Sequence, residues 1–467
     1  MWLILLLLLM TGTASASTLQ AGAAQVDITP PAGAPMAGYY VPRVATGTHD
    51  ALHVKAIVFE KNGVKVALAT CDLVWLPRNL SEEARQIIQQ KTGIPADHIM
   101  ISSTHDHTGP VIMVHPSRYN LQGEMLRITE DYTNALPSLI AQAVILANSR
   151  LQPAEVRSAI GREDSLAFNR RYYMKGGSVG WNPGKLNPEI WRQAGPTDPS
   201  VPVVYVETPD GKGIASYVNF AMHQDTTGGL KWSADYSYAL GKILQMAKGD
   251  DLVSIFTIGC AGDINHLDTS RKDPQASYGE AARIGAVLAG DALKVIQRAP
   301  VIPVSQILVS SRVLKLDLPQ FTPQEVDWAR RTQATVGTAN PAPFLDLVRA
   351  AKILEIDSRH GKPFDAEVQV IALGDQLAFV GFPGEMFTQF GLNVKQDSPF
   401  PLTITAELAN GALGYIPNRQ AYPEGAYEAV ATRLKPGAGE RLMNSALDQL
   451  RAVFAAARAA SAASQTH

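Results

Sequence analysis

Apolar positions along the chain fall into short runs separated by turn residues, and several of these runs end in an ionisable side chain. Residues 53–60 and 64–71 form two alternating runs joined at Lys61, Asn62 and Gly63. Asn-Gly between such runs predicts a hairpin, because both central turn residues must take positive φ. Residues 98–103 are short and β-branched, which predicts a buried strand, and they lead into THDHTGP at 104–110. Strands are likewise predicted at 203–207 and 214–221, turned across 209–212, and the second runs into His223. A run at 252–258 ends in Cys260 and Asp263, and a pair at 366–373 and 376–382 leads into Glu385. An edge-like strand is expected at 304–316.

Helical patterns lie between these runs. One is expected to start at Ser81 as N-cap and to stop at Gly93 and Pro95; another covers about 130–148 and contains Pro137, a residue that bends helices. Ser233 is expected to cap a helix to about Lys248, and an Ala-rich helix spans about 277–299. Helical segments reach about Asp357, and a last helix covers about 438–460. No repeat of fixed period is visible, and no Gly-, Ser- or Pro-rich linker marks a domain boundary.

Asp72, His105, His107, His223, Asp263 and Glu385 each stand just beyond a predicted strand. Ligands of α/β sheets bind outside strand carboxyl ends, so the six are expected on one rim. In an extended segment, positions i and i+2 project to the same side, which lets His105 and His107 face one cleft. Residues 165–199, rich in Gly, Pro, Asn, Arg and aromatics, are expected to form a wall of that cleft.

Composition narrows the possibilities. With 46% hydrophobic and 18% charged residues among 467, and a mean hydropathy of -0.02, the chain has the profile of a folded soluble protein. A formal net charge of -2 leaves no basic excess for phosphates, which excludes a nucleic-acid partner. The apolar run 2–10, followed by Ala14, Ser15 and Ala16, predicts a signal peptide at 1–16, cleaved after Ala16, and a periplasmic or secreted product. Nothing after it is long and apolar enough to span a bilayer. Cys71 and Cys260 are the only cysteines, too few for a disulfide framework; buried free thiols are the expectation, with pairing left open.

Two or three imidazoles with a carboxylate match the ligand shell of a catalytic zinc. Such an ion lowers the pKa of water to about 7 and polarises a carbonyl, so an amide or ester can be hydrolysed without a side-chain nucleophile. Two cysteines cannot build a thiolate site, and imidazole with carboxylate favours Zn, with Fe or Mn as substitutes.

Several of these residues sit in stretches that resemble the N-terminal catalytic domain of neutral, non-lysosomal ceramidases. The matching pieces are VDITPP with PMAGY at 35–39, THDHTGP at 104–110, Asn169 with Arg170, NFAMH ending at His223, GDIN at 262–265, PGE ending at Glu385, and Gly414 with Tyr415 followed by Tyr427 and Glu428. They run in family order from about residue 22 to about 430. The resemblance implies an α/β fold of mixed β-sheets flanked by helices. It implies that His105, His223, Glu385 and Tyr415 ligate Zn2+, that His107 and Tyr427 hydrogen-bond the developing oxyanion, and that Arg170 orients the substrate carbonyl. It further implies a lipid-like or other small acyl substrate, with sphingolipid metabolism as the family context.

Two departures qualify it. Where the family's GDxSPN segment carries a serine near the metal, this chain has Asn265, so the general base is sought among Asp263, Asp106 and His266. The chain also ends after its Ala-rich helix, so residues 17–467 are expected to form one catalytic domain without the family's C-terminal β-domain. The leading expectation is therefore an exported zinc-dependent amidohydrolase acting on an N-acyl bond through an activated water. The alternatives are a zinc hydrolase of the same fold acting on a non-sphingolipid ester, lactone or acylated sugar, and a non-catalytic metal-binding protein. Oligomeric state is not fixed by any of these features.

Overall fold

The structure, a computed structural model, describes residues 18–40, 43–114, 117, 119 and 121–465, with side chains to 459. The expected signal peptide at 1–16 lies outside the described residues. Within them the chain folds as three copies of one unit, each with an outer strand, a hairpin, a short helix, an inner strand and a long helix. In the first these are Gln20–Asp27, His53–Lys61, Val64–Cys71, Arg78–Thr92, Ile99–Ser103 and Gly123–Ser149. In the second they are Glu155–Arg162, Ser200–Glu207, Gly213–Phe220, Asp235–Lys248, Val253–Ile258 and Tyr278–Arg298. The third runs through Ile307–Leu316, Phe364–Leu373, Leu377–Gly381, Thr388–Asp397, Leu402–Ala406 and Ala438–Gln465.

Each unit makes a sheet in the same spatial order: inner strand, second hairpin strand, first hairpin strand, outer strand. The hairpin and outer strands pair antiparallel, whereas the inner strand lies parallel to the second hairpin strand. A parallel neighbour needs a crossover, and the short helix supplies it. Both members of each parallel pair therefore end on the same side of their sheet.

Both faces of the inner and hairpin strands are buried, whereas the outer strands keep exposed positions. In His53–Lys61, Val54, Ala56 and Val58 pack under the helices of the first unit, while Ile57 and Phe59 face a central core shared with Val204 and Ile255 of the second sheet and Phe379 and Ile404 of the third. Strands covered on both sides need no polar alternation, and the alternation expected at 53–60 does not mark an exposed face: Val54 to Phe59 are all buried.

Local signals explain most boundaries. Asn62 and Gly63 take φ of 51° and 78°, the conformation that the two-residue hairpin requires. The long helix Tyr278–Arg298 is capped by Ser277, whose side chain accepts from the Glu280 amide. The first short helix departs from expectation: it begins at Arg78 behind Pro77, and Ser81 lies fully buried inside it instead of capping it. Gly123–Ser149 likewise starts earlier than its pattern predicts and carries Pro137 within it. Cys71 and Cys260 are buried, free thiols.

Polar ties fasten the sheets where the inner strands end. Asn410 donates its amide N–H to the Ile101 carbonyl at 2.7 Å, and its Oδ1 accepts from the Ile101 amide at 2.8 Å, joining the third sheet to the first. Asn219 Nδ2 donates to carbonyls of Thr257 and Thr405, both at 3.0 Å, joining the second to the third. Farther out, Arg85 of the first unit donates to Glu367 of the third at 2.9 Å, with both side chains almost fully buried. Removing one member of such a pair leaves an uncompensated buried charge. Glu367→Ala should therefore cost about 3 to 5 kcal/mol, measured by chemical denaturation. Glu124→Ala, which removes an exposed partner of Arg127, should leave the midpoint unchanged.

Candidate metal centre

The ends of the three parallel pairs meet, and the chain that leaves them carries the ionisable residues. In the first unit, Thr104 donates to the Cys71 carbonyl at 2.9 Å, and the chain then turns at His105, whose φ is 66°. That left-handed conformation is costly for a side chain with a Cβ, and such strain persists only where surrounding structure imposes it. Here Asp106 N–H donates to the Leu73 carbonyl at 3.2 Å and His107 N–H to the Gln224 carbonyl at 3.0 Å. His105 and His107 converge through this turn, not through the extended i, i+2 relation that their spacing suggests. Gly38 permits it, since a Cβ there would stand 2.7 Å from the His107 carbonyl oxygen.

His105 Nδ1 lies 2.8 Å from the Val74 carbonyl, which can only accept. The proton is thus held on Nδ1, and Nε2 turns its lone pair inward. From the second unit, His223 reaches the same point, fully buried, with neither ring nitrogen hydrogen-bonded. From the third comes Glu385, in the short strand Glu385–Met386 that pairs in register with Tyr415–Ile416, so Glu385 and Tyr415 stand side by side.

Glu385 Oε2 lies 3.3 Å from His105 Nε2 and 3.4 Å from His223 Nε2, yet this buried oxygen completes no hydrogen bond. His107 Nε2 is 3.2 Å from His105 Nε2, and one donor atom from each of the three histidines lies within 4.8 Å of the others. Ligand bonds of about 2.0 to 2.1 Å in a tetrahedral zinc site place donor atoms about 3.3 to 3.4 Å apart. The donor set, its spacing and the unpartnered atoms of His223 and Glu385 therefore fit such a cation. The Tyr415 ring is 6.5 Å from that of His223 and 5.3 Å from that of Tyr427, between centroids.

Burial, followed by Arg170 and His105, brings the His223 imidazole down to about 4. Burial, with His105 next, holds His107 well below the usual histidine range. Against the opposing effect of burial, His105 and His223 keep Glu385 well below the carboxylate range. At neutral pH His223 and His107 are thus unprotonated imidazoles and Glu385 a carboxylate, the forms that bind metal. Burial, then Glu385 and Tyr427, push the Tyr415 phenol well up, so without a nearby cation it keeps its proton.

Arg170 Nε donates to Glu428 at 2.7 Å and Nη2 to the Gly262 carbonyl at 2.9 Å, with its guanidinium 5.3 Å from the centre of the Tyr415 ring. Glu428 also accepts from Arg171 at 3.1 Å, so one buried carboxylate holds two arginines. Asp263 stands beside the site with both oxygens engaged: Oδ1 accepts from Thr388 N–H and Oγ1 at 2.8 and 2.9 Å, and Oδ2 from Asn169 Nδ2 at 2.7 Å. Asn265 faces the wall, its Nδ2 donating to Asn182 Oδ1 at 3.1 Å. Asp72 belongs to the sheet edge, where it accepts from the His53 amide at 2.9 Å. Asp106 spends Oδ1 on Thr108, and burial raises its pKa. His266 Nδ1 lies 3.0 Å from Asp225 Oδ1, while its buried Nε2 has no hydrogen-bond partner.

Nothing in the sequence pattern singles out Asp225, and Glu428 and Tyr427 emerge only through the resemblance, without the aromatic collar to which Tyr427 belongs. The collar is formed by Trp181, Phe344 and Tyr427, with ring centroids 4.7 to 5.9 Å apart, and Tyr40 meets Phe344 at 5.4 Å. Tyr40, Trp181 and Phe344 come from the segments 28–52, 163–199 and 317–363, each inserted between the outer strand and the hairpin of one unit. The second of these is the expected wall. It contains a three-stranded sheet, Arg171–Met174, Val179–Trp181 and Ile190–Gln193.

Mixed sheets covered by helices, with this donor set at their meeting point, define a neutral ceramidase-like α/β fold. The crystal structure of neutral ceramidase from Pseudomonas aeruginosa superposes with a TM-score of 0.73 at 19% identity, over 94% of this chain and 75% of that one. A structure described as ceramidase complexed with C2 superposes at 0.70 with 16% identity, over 92% and 74% respectively. No family model and no curated protein matches the sequence. At these identities the likeness is one of fold.

The low pKa of His223 makes the stability of metal-free protein depend on pH. The unfolded histidine titrates near 6.5 and the folded one near 4. Between these values the unfolded chain binds more protons, so stability falls with decreasing pH, by at most about 1.4 kcal/mol per unit for this group. Denaturation of chelator-stripped protein at pH 7, 6 and 5 should reveal the slope, and His223→Gln should remove about one proton from it. An unchanged slope in the variant would contradict the account.

Proposed function

We propose that this protein is a zinc-dependent hydrolase that cleaves an acyl–nitrogen bond. The observation that carries this reading is the buried donor set of His105, His223 and Glu385 at ligand spacing, with His223 and Glu385 Oε2 unpartnered; the ceramidase-like fold supports it. In this reading Tyr415 completes the set around Zn2+, and residues 17–467 form one catalytic unit, exported by cleavage after Ala16. No described helix is long and apolar enough to cross a membrane.

Bound there, the ion would supply Lewis acidity, sharpening a water and polarising the carbonyl. The protein's own groups do the rest. Arg170, steadied by Glu428, orients the acyl carbonyl beside Tyr415. As the carbonyl oxygen gains charge, His107 and Tyr427 donate hydrogen bonds to it, a type of interaction worth about 3 to 4 kcal/mol per donor. The water oxygen joins the acyl carbon, the C–N bond breaks, and the departing nitrogen takes a proton, leaving a carboxylic acid and an amine. His266, with Nδ1 held by Asp225 and Nε2 open, is the group best placed to carry that proton. Asp263 fixes Asn169 and Thr388, and so the position of Arg170.

Ligand and oxyanion roles separate in mutants. His105→Ala should lose zinc, measured by elemental analysis after gel filtration, together with turnover. His107→Ala should keep zinc and lose about 100-fold in kcat; loss of zinc from that variant would make His107 a ligand instead. A matched panel of N-acyl and O-acyl compounds should give cleavage of the N-acyl members. Cleavage of esters or lactones alone would establish the second chemistry, and zinc binding without any turnover would identify a binding protein.

A further inference from the structure

A cavity of about 780 Å³ opens beside Glu385, between the first and third units. Trp75, Met113, Val348 and Leu413 supply apolar lining, and its outer wall is the helix Phe344–Ser358 with the turn after it. Charged groups are numerous here, and most are matched within the protein. Arg78 meets Glu82 at 2.8 Å and Glu367 at 3.3 Å, Arg433 meets Glu355 at 2.5 Å, and Asp365 is taken by Lys315. Arg359 is spent on the carbonyls of Lys362 and Pro363.

Lys352 and the exposed Lys362 are not matched in this way, and of the two only Lys352 is half-buried. It sits in the cavity wall, and no carboxylate among the described residues lies within ion-pair distance of it. The charges that act on it are those of Arg349 and Arg433, each already paired with a glutamate. Burial first, then these two guanidinium groups, bring its pKa down to about 8. At pH 7 it is still protonated, a half-buried cation on the cavity wall with no carboxylate at ion-pair distance. A lysine with only a structural task extends its ammonium into solvent. One held half-buried on an apolar cavity wall without a carboxylate partner offers a pairing site to an anion that enters the cavity.

Resting on the amidase reading and narrowing its substrate class, we propose that the substrate is an N-acyl amino acid whose carboxylate pairs with Lys352. The apolar lining takes the acyl chain, so the anion falls on the amine-derived half. The scissile carbonyl then lies at the Glu385 end of the cavity. Hydrolysis by the step above yields a fatty acid and a free amino acid.

The test compares N-octanoylglycine with N-octanoylglycinamide, which differ only in that carboxylate. Calorimetric titration of catalytically silent, metal-free protein should give tighter binding of the acid by about tenfold. Lys352→Met should abolish the difference, and Lys352→Arg should keep it. With zinc-loaded protein, Lys352→Met should raise KM for the acid alone and leave kcat in place. Equal binding of the two compounds by wild-type protein, or an undiminished preference in Lys352→Met, would overturn the proposal whether or not either compound is cleaved. A binding preference without cleavage of either compound would overturn the amidase reading and leave the anion site standing.

Discussion

Three sheets must each bury both faces of their inner and hairpin strands, and the arrangement that achieves this is packing around a shared apolar core with helices outside. The demand is steric as well as hydrophobic. Ile57, Val204, Ile255, Phe379 and Ile404 fill the centre from all three units, so none of the sheets can rotate without opening a void. Because every unit has its parallel pair at the same edge, close packing also brings three sets of strand ends together. The metal centre follows from this geometry. His105, His223 and Glu385 come from different units and meet because the sheets meet.

Within that junction, electrostatics works against the protein. His223 and Glu385 present unpartnered polar atoms where water is largely excluded, and the only side-chain partner of His105 Nε2 among the described residues at hydrogen-bond geometry is His107 Nε2, at 3.2 Å. The surroundings hold them there: the Val74 carbonyl fixes the His105 tautomer, Gln224 fixes the His107 backbone, and the Glu385 strand is locked to the Tyr415 strand. Arg170 and Arg171 bring positive charge close by, and both are held by Glu428. The strained turn at His105 and the unpartnered atoms of His223 and Glu385 cost stability at this point.

Much of this was legible in the residue pattern. Strand ends carrying His105, His223 and Glu385 could be read because the strands before them are short apolar runs and ionisable groups stop them. The Asn62–Gly63 turn was equally plain. The threefold repetition was not, because the inserted segments 28–52, 163–199 and 317–363 differ in length and content and destroy any fixed period. The turn at His105 was hidden for another reason: its positive φ is imposed by contacts from Leu73 and Gln224, distant in sequence. Asp263 illustrates the converse, a carboxylate at the expected strand end whose oxygens are consumed by Thr388 and Asn169. A side chain's address along the chain indicates where it goes and leaves open which way it points.

The placement of the three insertions separates two tasks. Each leaves its unit between the outer strand and the hairpin, so it can lengthen, shorten or change composition without disturbing the strands that aim the histidines. Its aromatic and charged residues nonetheless overhang the same opening. Such a framework can keep its reactive centre while exchanging the facade around it, one panel at a time, and relatives with altered panels would be expected to differ in what they admit more than in what they do to it.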